Sequence, residues 1–280
     1  MKNIKFYALS LFVIAFVSLF FARCDNNNDS AQTSRVTVRM VDAPGDYDEV
    51  NVEVLDVLIK NSLNSDDQGW VSIGDETQVG EGKIYNLLEL TGGVNALLAD
   101  NLVPSGNLGQ IRLLLGDENT VVLKDGTEEI PLRTPSAQQS GLKLKVNQTL
   151  EAGKTYEFLL DFDVEHSVVK AGGSGNYNLH PVIRVSTKEN TGGIKGKITS
   201  PSPFPAGFAV SVSIPVEGGT IETAMNTDTG EFQLNGVPAG TYTVTLDPGA
   251  TSLYAVKTIA NVVVVNGAIT DVGDQALVLK

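Results

Sequence analysis

The chain has 280 residues, of which 42% are hydrophobic and 19% are charged. This is the composition of a globular protein with room for two ordinary domains, and it excludes a disordered chain. With 20 basic and 33 acidic residues, the formal net charge of −13 argues against nucleic acid as a partner, since the sequence indicates no basic surface that could neutralise phosphates. A single cysteine and two separated histidines exclude a disulfide framework and a Cys/His zinc site, and we predict no cofactor.

The beginning of the chain has the composition of an export signal. Lys2 and Lys5 precede an uncharged, apolar run over residues 6–22. The run is long for the apolar core of a signal peptide and short for a membrane span, which needs about 20 residues. Arg23 and the sole cysteine, Cys24, follow it. Three basic residues and no acidic residue lie before Cys24. The rest of the chain therefore carries a net charge of −16.

The position of Cys24, between an apolar run and a polar segment, resembles the signal of a bacterial lipoprotein. The resemblance implies a signal peptide over residues 1–23, lipidation of Cys24 and attachment to a membrane, because several acyl chains hold a protein stably on a bilayer. Arg23 departs from this pattern, which normally has a small residue there. The alternatives are an uncleaved signal anchor and an ordinary secreted protein.

Residues 24–34 are polar and are predicted to form a flexible tether that carries the lipidated cysteine. The acidic stretch directly after Cys24 is similar to the surface-export signal of Bacteroidota lipoproteins. Ser30 lies in an Asp-Ser-Ala sequence that resembles the O-glycosylation site of the same group. These resemblances imply an outer-membrane lipoprotein of the cell envelope, and they leave open whether it faces the periplasm or the cell surface.

The remaining chain is predicted to be all-β, with two consecutive β-sandwich domains. Short β-rich runs recur between Gly, Asp, Asn and Pro, a spacing typical of sandwiches. The net charge is −13 over residues 25–191 and −3 over residues 192–280, which supports a boundary at the turn-rich joint 189–193. We therefore predict domains over 35–188 and 192–280. The single helix that we expect is a short apolar one at about 94–101.

Four sequence blocks in the first domain resemble the domain of unknown function 4382, which occurs in secreted and lipid-anchored bacterial proteins. The blocks lie at residues 41–50, 86–93, 110–113 and 139–144, and together they extend across most of the predicted domain. The resemblance implies a β-rich extracytoplasmic domain. It supplies no activity and no catalytic residues.

Two acidic clusters in this domain invite a metal-binding interpretation, because calcium takes six to eight oxygen ligands. The first surrounds a Pro-Gly turn and the second falls on one face of a strand predicted over residues 156–165. The members are Asp42, Asp46, Asp48 and Glu49 in the first cluster and Asp161, Asp163 and Glu165 in the second. Neither has the spacing of a calcium loop. We therefore favour solvated carboxylates and predict no metal site, with Asp42, Asp46, Asp48, Asp161 and Asp163 as weak candidates.

Other chemical signals in the first domain are weak. Residues 172–175 lack the last glycine of a nucleophile elbow and are interpreted as a hairpin loop. His166 and His180 have no nucleophile signature beside them and are interpreted as ordinary strand or loop residues. Trp70 and Tyr85 are candidates for a sugar-stacking platform, although packing is the favoured interpretation.

The second domain shows the most regular alternation in the chain. A tight turn at residues 238–240, in which Gly240 is predicted to need a positive φ or a close approach, precedes a strand that buries Tyr242, Val244 and Leu246. This order resembles the carboxypeptidase regulatory-like domain, a prealbumin-type seven-stranded sandwich. In that family the domain usually serves as a spacer or folding support, which implies structural roles for these residues.

The function predicted from the sequence is that of a non-enzymatic, envelope-exposed lipoprotein that binds or supports a glycan or a protein at the cell surface. Its expected partners are a membrane, through the lipid anchor, and a glycan or surface protein. One alternative is a structural subunit that shares strands between chains, as in pilus-like assemblies. A second is a hydrolase, which would need a cleft where Asp161 and Asp163 face Asp42.

Overall fold

A computed structural model describes residues 32–63, 66–74, 82–134, 141–173, 175–205 and 207–280. The predicted signal peptide, Cys24 and Ser30 lie outside the described residues, as does Ser174 of the predicted hairpin loop. Thr33–Lys280 form one compact unit. The predictions of export, lipidation and glycosylation therefore rest on the sequence alone.

The predicted all-β fold is confirmed, because strands dominate the described residues. The strands before residue 190 are β1 (Thr33–Ala43), β2 (Tyr47–Lys60), β3 (Val71–Ser72), β4 (Lys83–Asn86), β5 (Ala96–Pro104), β6 (Gly106–Leu115), β7 (Thr120–Leu123), β8 (Glu129–Arg133), β9 (Leu142–Leu150), β10 (Thr155–Asp163), β11 (Val168–Lys170), β12 (Tyr177–Leu179) and β13 (Ile183–Thr187). The strands after it are β14 (Thr191–Ile198), β15 (Ser211–Val216), β16 (Gly219–Ala224), β17 (Glu231–Pro238), β18 (Gly240–Asp247), β19 (Lys257–Val264) and β20 (Ile269–Gln275).

The N-terminal half consists of two sheets around one hydrophobic core. One sheet has the order β13-β10-β1-β5, and the other has the order β11-β12-β8-β7-β2-β6-β9, with β3 and β4 paired to β2. In β10, Phe158, Leu160 and Phe162 are fully buried, while the residues between them are partly exposed. This period of two matches the predicted alternation and turns one face of the sheet to the core.

The C-terminal half has its own pair of sheets and its own core. The sheet orders are β17-β14-β20 and β16-β15-β18-β19. Phe232 and Leu234 of β17 are buried, as are Val244 and Leu246 of β18. The register predicted for the strand after the turn at 238–240 is thus confirmed for these two residues of β18.

The helix expected at 94–101 is wrong. Most of these residues belong to β5, which pairs antiparallel with β1 from Thr33 opposite Pro104 to Met40 opposite Ala96. A run of eight residues is too short to be a stable helix alone, and pairing with a buried strand satisfies its backbone groups. The described residues instead contain a one-turn helix α1 (Val164–Ser167) and a 3-10 helix (Leu87–Leu90). Neither these nor any other helix in the described part of the chain could span a bilayer.

The two hydrophobic cores fall on either side of the predicted boundary. Buried members of the first lie within residues 36–179 and those of the second within 194–277. The joint itself is a tight turn, because β13 ends at Thr187 and β14 begins at Thr191, whose hydroxyl donates to the carbonyl of Thr187. Independent folding of the two halves stays a prediction.

Candidate functional site

Five acidic side chains contribute to the lining of a cleft between the two halves. Its volume is about 840 Å³. The ends of β1 and β10, together with α1, form one wall, and β15, β16 and the turn between them form the other. The lining carboxylates are Asp46, Asp161, Asp163, Glu165 and Glu222, and the lining cationic or titratable bases are Arg184 and His166.

The parallel pairing of β1 with β10 explains how the two predicted acidic clusters meet at this cleft. Val41 lies opposite Asp161 and Ala43 lies opposite Asp163. Because parallel neighbours end at the same edge of a sheet, the turn after β1 adjoins the helix after β10. The backbone N–H of Asp46 accordingly donates to Glu165 Oε2 at 3.2 Å, across 119 positions of sequence.

Asp42 is the most deeply buried carboxyl group at this edge. Its exposed fraction is 3%, and no side chain among the described residues donates a hydrogen bond to its carboxyl oxygens. It lies opposite Phe162 in the register of β1 and β10, on the side of the sheet that carries core residues. Asp161 and Asp163 alternate with Phe162, so the face-to-face arrangement with Asp42 that a carboxylate hydrolase would need is not formed by this pairing.

Burial raises the pKa of Asp42 well above its usual range, because the charged form loses its hydration. The negative charge of Asp161 raises this pKa further, and that of Asp163 adds to the rise. The backbone N–H groups of Val164 and Ala43 approach the carboxyl and oppose the rise. Asp42 is therefore set up to hold a proton that an exposed aspartate would lose.

Asp42 is one of the residues that line a small cavity next to the cleft. The cavity has a volume of about 10 Å³, close to the smallest that holds one water molecule. Asp161 and Glu222 line both the cavity and the cleft. The remaining polar side chains around the cavity belong to Thr223, Gln233 and Asn235. A polar pocket for one small group thus adjoins the open cleft.

Arg184 of β13 holds the two halves together beside this cavity. It pairs with Asp161, its neighbour in the register of β10 and β13, and its Nη1 donates to the carbonyl of Gly236 at 2.7 Å. Its Nη2 also donates to the carbonyl of Asn235 at 3.3 Å. Burial raises the pKa of Asp161, and the positive charge of Arg184 opposes that rise. The guanidinium of Arg184 therefore contacts both halves, through Asp161 of β10 and the carbonyl groups of β17.

Asp163 caps α1 and holds His166. Its carboxylate accepts a hydrogen bond from the backbone N–H of His166 at 3.1 Å, and both oxygens lie 2.9 Å from His166 Nδ1. The hydrogen bond with Asp163 raises the pKa of His166, and the charge of Asp163 adds to it. The cap also ends β10, so the prediction that Glu165 lies on a strand face with Asp161 and Asp163 is wrong: Glu165 lies in α1.

Three carboxylates of the cleft have no cationic partner among the described residues: Asp46, Glu165 and Glu222. Glu165 accepts the backbone N–H of Asp46, and Glu222 accepts the hydroxyl of Ser211. Because Arg184 and His166 are already paired, the cleft presents an excess of negative charge to solvent.

The other members of the first acidic cluster lie outside this cleft. Asp48 pairs with Lys124 at 3.1 Å and accepts the backbone N–H of Asp125 at 3.0 Å, at the hairpin between β7 and β8. Glu49 accepts a hydrogen bond from Asn51 at 3.2 Å. Within the described ranges, no three His, Cys, Asp or Glu side chains are arranged to hold a metal ion.

Trp70 and Tyr85 do not form one platform. Trp70 precedes β3 beside the end of β2, where Ile59 pairs with Val71, whereas Tyr85 pairs with Val52. With a rise of about 3.3 Å per residue along β2, these two pairing positions lie roughly 25 Å apart. The guanidinium carbon of Arg112 lies 4.1 Å from the centre of the Trp70 ring. The ring is therefore packed against another side chain and does not form an open surface for a sugar.

Sequence reasoning did not find Arg184, Ser211 or Glu222. Arg184 had a weak signal in the sequence, because it is a basic residue in a strand that comes after the acidic strand β10. That signal indicates an ion pair only when the pairing of β13 with β10 is known. Ser211 and Glu222 had no signal in the sequence, because no local pattern predicts which residues of the two halves contact each other.

Comparison with known proteins gives a family but no function. A family model described as a domain of unknown function (DUF4382) matches residues 33–181, more than half of the chain. No protein of curated function matches.

Among solved structures, the chain is similar to a type II cohesin–X–dockerin complex of Acetivibrio cellulolyticus, with 22% identity and a TM-score of 0.24 over 31% of this chain and 57% of that chain. The TIE protein of Bacillus anthracis has 12% identity and a TM-score of 0.21 over 88% of this chain and 34% of that chain. A minor pilin of Streptococcus agalactiae has 11% identity and a TM-score of 0.23 over 87% of this chain and 97% of that chain. The chain thus covers less than two thirds of the length of the first two of these chains. Likenesses this low carry no argument about function.

Proposed function

The chain belongs to the DUF4382 family, and on that premise we propose that it is a non-enzymatic module that binds or supports a glycan or a protein at the cell surface. One observation carries the proposal: the cleft between the halves is open, and it presents Asp46, Glu165 and Glu222, which pair with no cation in the described part of the chain. Carboxylates whose charge is not balanced by a neighbouring cation on a concave surface favour recognition of another molecule.

The proposal includes the membrane anchor at Cys24 and an outer-membrane location. The export signal, the position of the only cysteine and the polar tether support it. The second half is proposed to be a carboxypeptidase regulatory-like module that does more than separate domains. Ser211 and Glu222 support this, since they form the wall that faces the acidic strand ends.

A cell-surface experiment tests this function. The full chain, tagged at its C-terminus, is cross-linked on intact cells, and captured proteins and glycans are compared with those captured by Asp46→Asn/Glu165→Gln. We expect capture by the wild type and loss in the variant. A glycan array probed in parallel separates the two ligand classes. Equal capture by both proteins, or no capture by either, would contradict a binding role for the cleft.

Strand sharing between chains is a second candidate, favoured by the open edge formed by β5. This strand ends its sheet, and Leu97 and Leu102 are 46% and 64% exposed. Such an edge can pair with another chain. Light scattering of the purified protein tests it. A series of multimers that Leu102→Lys abolishes would support sharing, and a monomer at all concentrations would exclude it.

A further inference from the structure

The C-terminal half has an open sheet edge along β19. Within the described residues its two sheets end in four strands, β17 and β20 in one sheet and β16 and β19 in the other. Both β17 and β16 contact the N-terminal half, since carbonyl groups of β17 bind Arg184 and Thr223 of β16 accepts the backbone N–H of Gly92. β20 carries Asp271 and Asp274, and charged residues keep an edge strand from pairing with other chains.

β19 differs from these three strands because it belongs to the least charged part of the chain. Residues 232–270 contain one acid and one base, Asp247 and Lys257, in a protein whose formal net charge is −13. The stretch 258–270 has no charged residue and no proline, and it includes four consecutive valines at 262–265. High β-propensity without charge or proline is typical of a segment that pairs with another strand.

The four valines alternate between the core and the surface. Val262 and Val264 are buried in the second core, whereas Val263 and Val265 are 54% and 59% exposed. Val263 lies opposite Thr241 of β18, which is also exposed. The surface beside this edge is therefore apolar or neutral, so it contributes no charge that would repel a second acidic molecule.

A bulge limits the open edge to these valines. The pairing of β19 with β18 shifts between Tyr242 and Val244, and Asn261 has a φ of 61°. After the bulge the pairing is regular from Val262 to Val264. The hydroxyl of Thr270 donates to the carbonyl of Val263 at 2.6 Å, and that oxygen has a second lone pair for another donor.

Beyond the proposed function, we propose that β19 pairs antiparallel with β19 of a second copy of this chain. A twofold axis perpendicular to the sheet places Val263 opposite Val263 of the other copy and Val262 opposite Val264. Such an axis keeps each side chain on its own face, so exposed valines contact on the outer face and buried valines stay on the core side. The partner is a second copy because this arrangement opposes valine to valine and brings no like charges together.

Sedimentation velocity of the purified protein over a range of concentrations tests the proposal. We expect monomers to form dimers and nothing larger, since a twofold contact is closed. Val263→Lys should weaken dimerisation roughly tenfold or more, because it places two lysines opposite each other at the axis. The matched control, Val169→Lys, makes the same change at an exposed residue of β11 and should dimerise within about twofold of the wild type. A monomer at all concentrations, or equal weakening in both variants, would overturn the proposal.

Salt provides a second readout. Raising sodium chloride from about 0.05 to 0.5 M screens the repulsion between two acidic molecules, so pairing through a neutral edge should strengthen. A dimer that salt weakens would be held by opposite charges, which would overturn the proposal.

Amide hydrogen exchange locates the contact. Exchange over residues 258–266 should be slower at concentrations where the dimer forms than where the monomer dominates. Slower exchange elsewhere in the chain, with none over these residues, would overturn the placement of the contact at β19.

The outcome is separable from the proposed function. Leu102→Lys changes β5 and should leave the β19 dimer intact. Multimers that Leu102→Lys abolishes and Val263→Lys retains would place association at β5 and overturn this inference. Cleft-dependent capture on intact cells by a protein that stays monomeric would do the same and leave the binding function standing. Melting curves of each variant confirm that the exposed substitutions leave the protein folded.

Discussion

Asp42 couples the stability of the protein to pH. The native state holds its proton at pH values where the unfolded chain, with a pKa near the ordinary 3.8, has lost it. Between that value and the raised native pKa, the folded state therefore binds more protons, and the free energy of unfolding falls as the pH rises. Asp161, whose pKa is also raised, contributes with the same sign.

Replacing Asp42 with asparagine tests this coupling. Asp42→Asn keeps the shape and removes the titratable group, so it should raise the free energy of unfolding near neutral pH and flatten the fall between acidic and neutral pH. Urea unfolding at several pH values from 4 to 8 measures both effects. An unchanged slope with pH would show that Asp42 does not hold the proton.

Tyr242 and Thr243 test the strand register of the C-terminal half. Tyr242 is half-buried against the second core, and its hydroxyl donates to the carbonyl of Pro238 at 2.9 Å, while Thr243 is exposed. Tyr242→Ala should destabilise by about 2–3 kcal/mol, less than the loss of a fully buried aromatic. Tyr242→Phe should cost about 1 kcal/mol for the hydrogen bond. Thr243→Lys should stay within about 0.5 kcal/mol. Equal effects of Tyr242→Ala and Thr243→Lys would contradict the register.

For Gly240, two residues before Tyr242, the structure supports one of two reasons that the sequence predicted for a glycine. The sequence predicted that Gly240 needs a positive φ or a close approach, and the structure supports the second reason. Gly240 is not among the residues with positive φ. A Cβ there would lie 3.1 Å from the hydroxyl oxygen of Tyr242. The turn residues could thus be predicted from the sequence, whereas the close contact between this glycine and Tyr242 depends on the folded strand.

At the scale of elements, the sequence predicted strands well and their partners poorly. The alternation in β10 identified its buried face, because period two is a local property. The parallel pairing of β1 with β10 is not local, and without it the two acidic clusters appeared to be separate. The helix error at β5 has the same origin, since a short apolar run becomes a strand when a neighbour offers pairing.

The junction between β13 and β17 gives a prediction about elements. Arg184→Ala removes the cation beside a mostly buried Asp161 and two bonds to β17 carbonyls. We expect a loss of about 2–3 kcal/mol, below the full value for a buried pair because Arg184 is 36% exposed. Asp161→Asn/Arg184→Met should regain part of this loss. Urea unfolding measures both, and a double variant no more stable than Arg184→Ala would contradict a charge-based explanation.

At the scale of the molecule, the two separate cores predict that residues 192–280 fold alone. All buried members of the second core lie within this fragment. Circular dichroism should show a β protein that unfolds cooperatively, and an unfolded fragment beside a folded full chain would contradict the two-domain interpretation. In the full chain, proteolysis at the joint should be confined to the exposed turn at 188–190, because Gly193 is buried in β14.

Calcium provides a second test on the whole protein. Ligand at a hundredfold excess over Kd stabilises by about 2.7 kcal/mol, which shifts the melting temperature by several degrees. Because no metal-holding group is formed within the described residues, we expect no specific shift at millimolar calcium. A shift that Asp161→Asn/Asp163→Asn abolishes would assign the cleft to a metal ion.

The proposed function depends most on whether the open acidic cleft binds a partner. The most direct measurement is capture by the full chain on intact cells, quantified for the wild type, Asp46→Asn/Glu165→Gln and a matched control, Glu128→Gln/Glu129→Gln, which removes the same charge from two exposed residues outside the cleft. We expect that the wild type and the matched control capture the same molecules in similar amounts, and that the cleft variant loses them. Capture that is retained by the cleft variant, or lost equally in both variants, would contradict it.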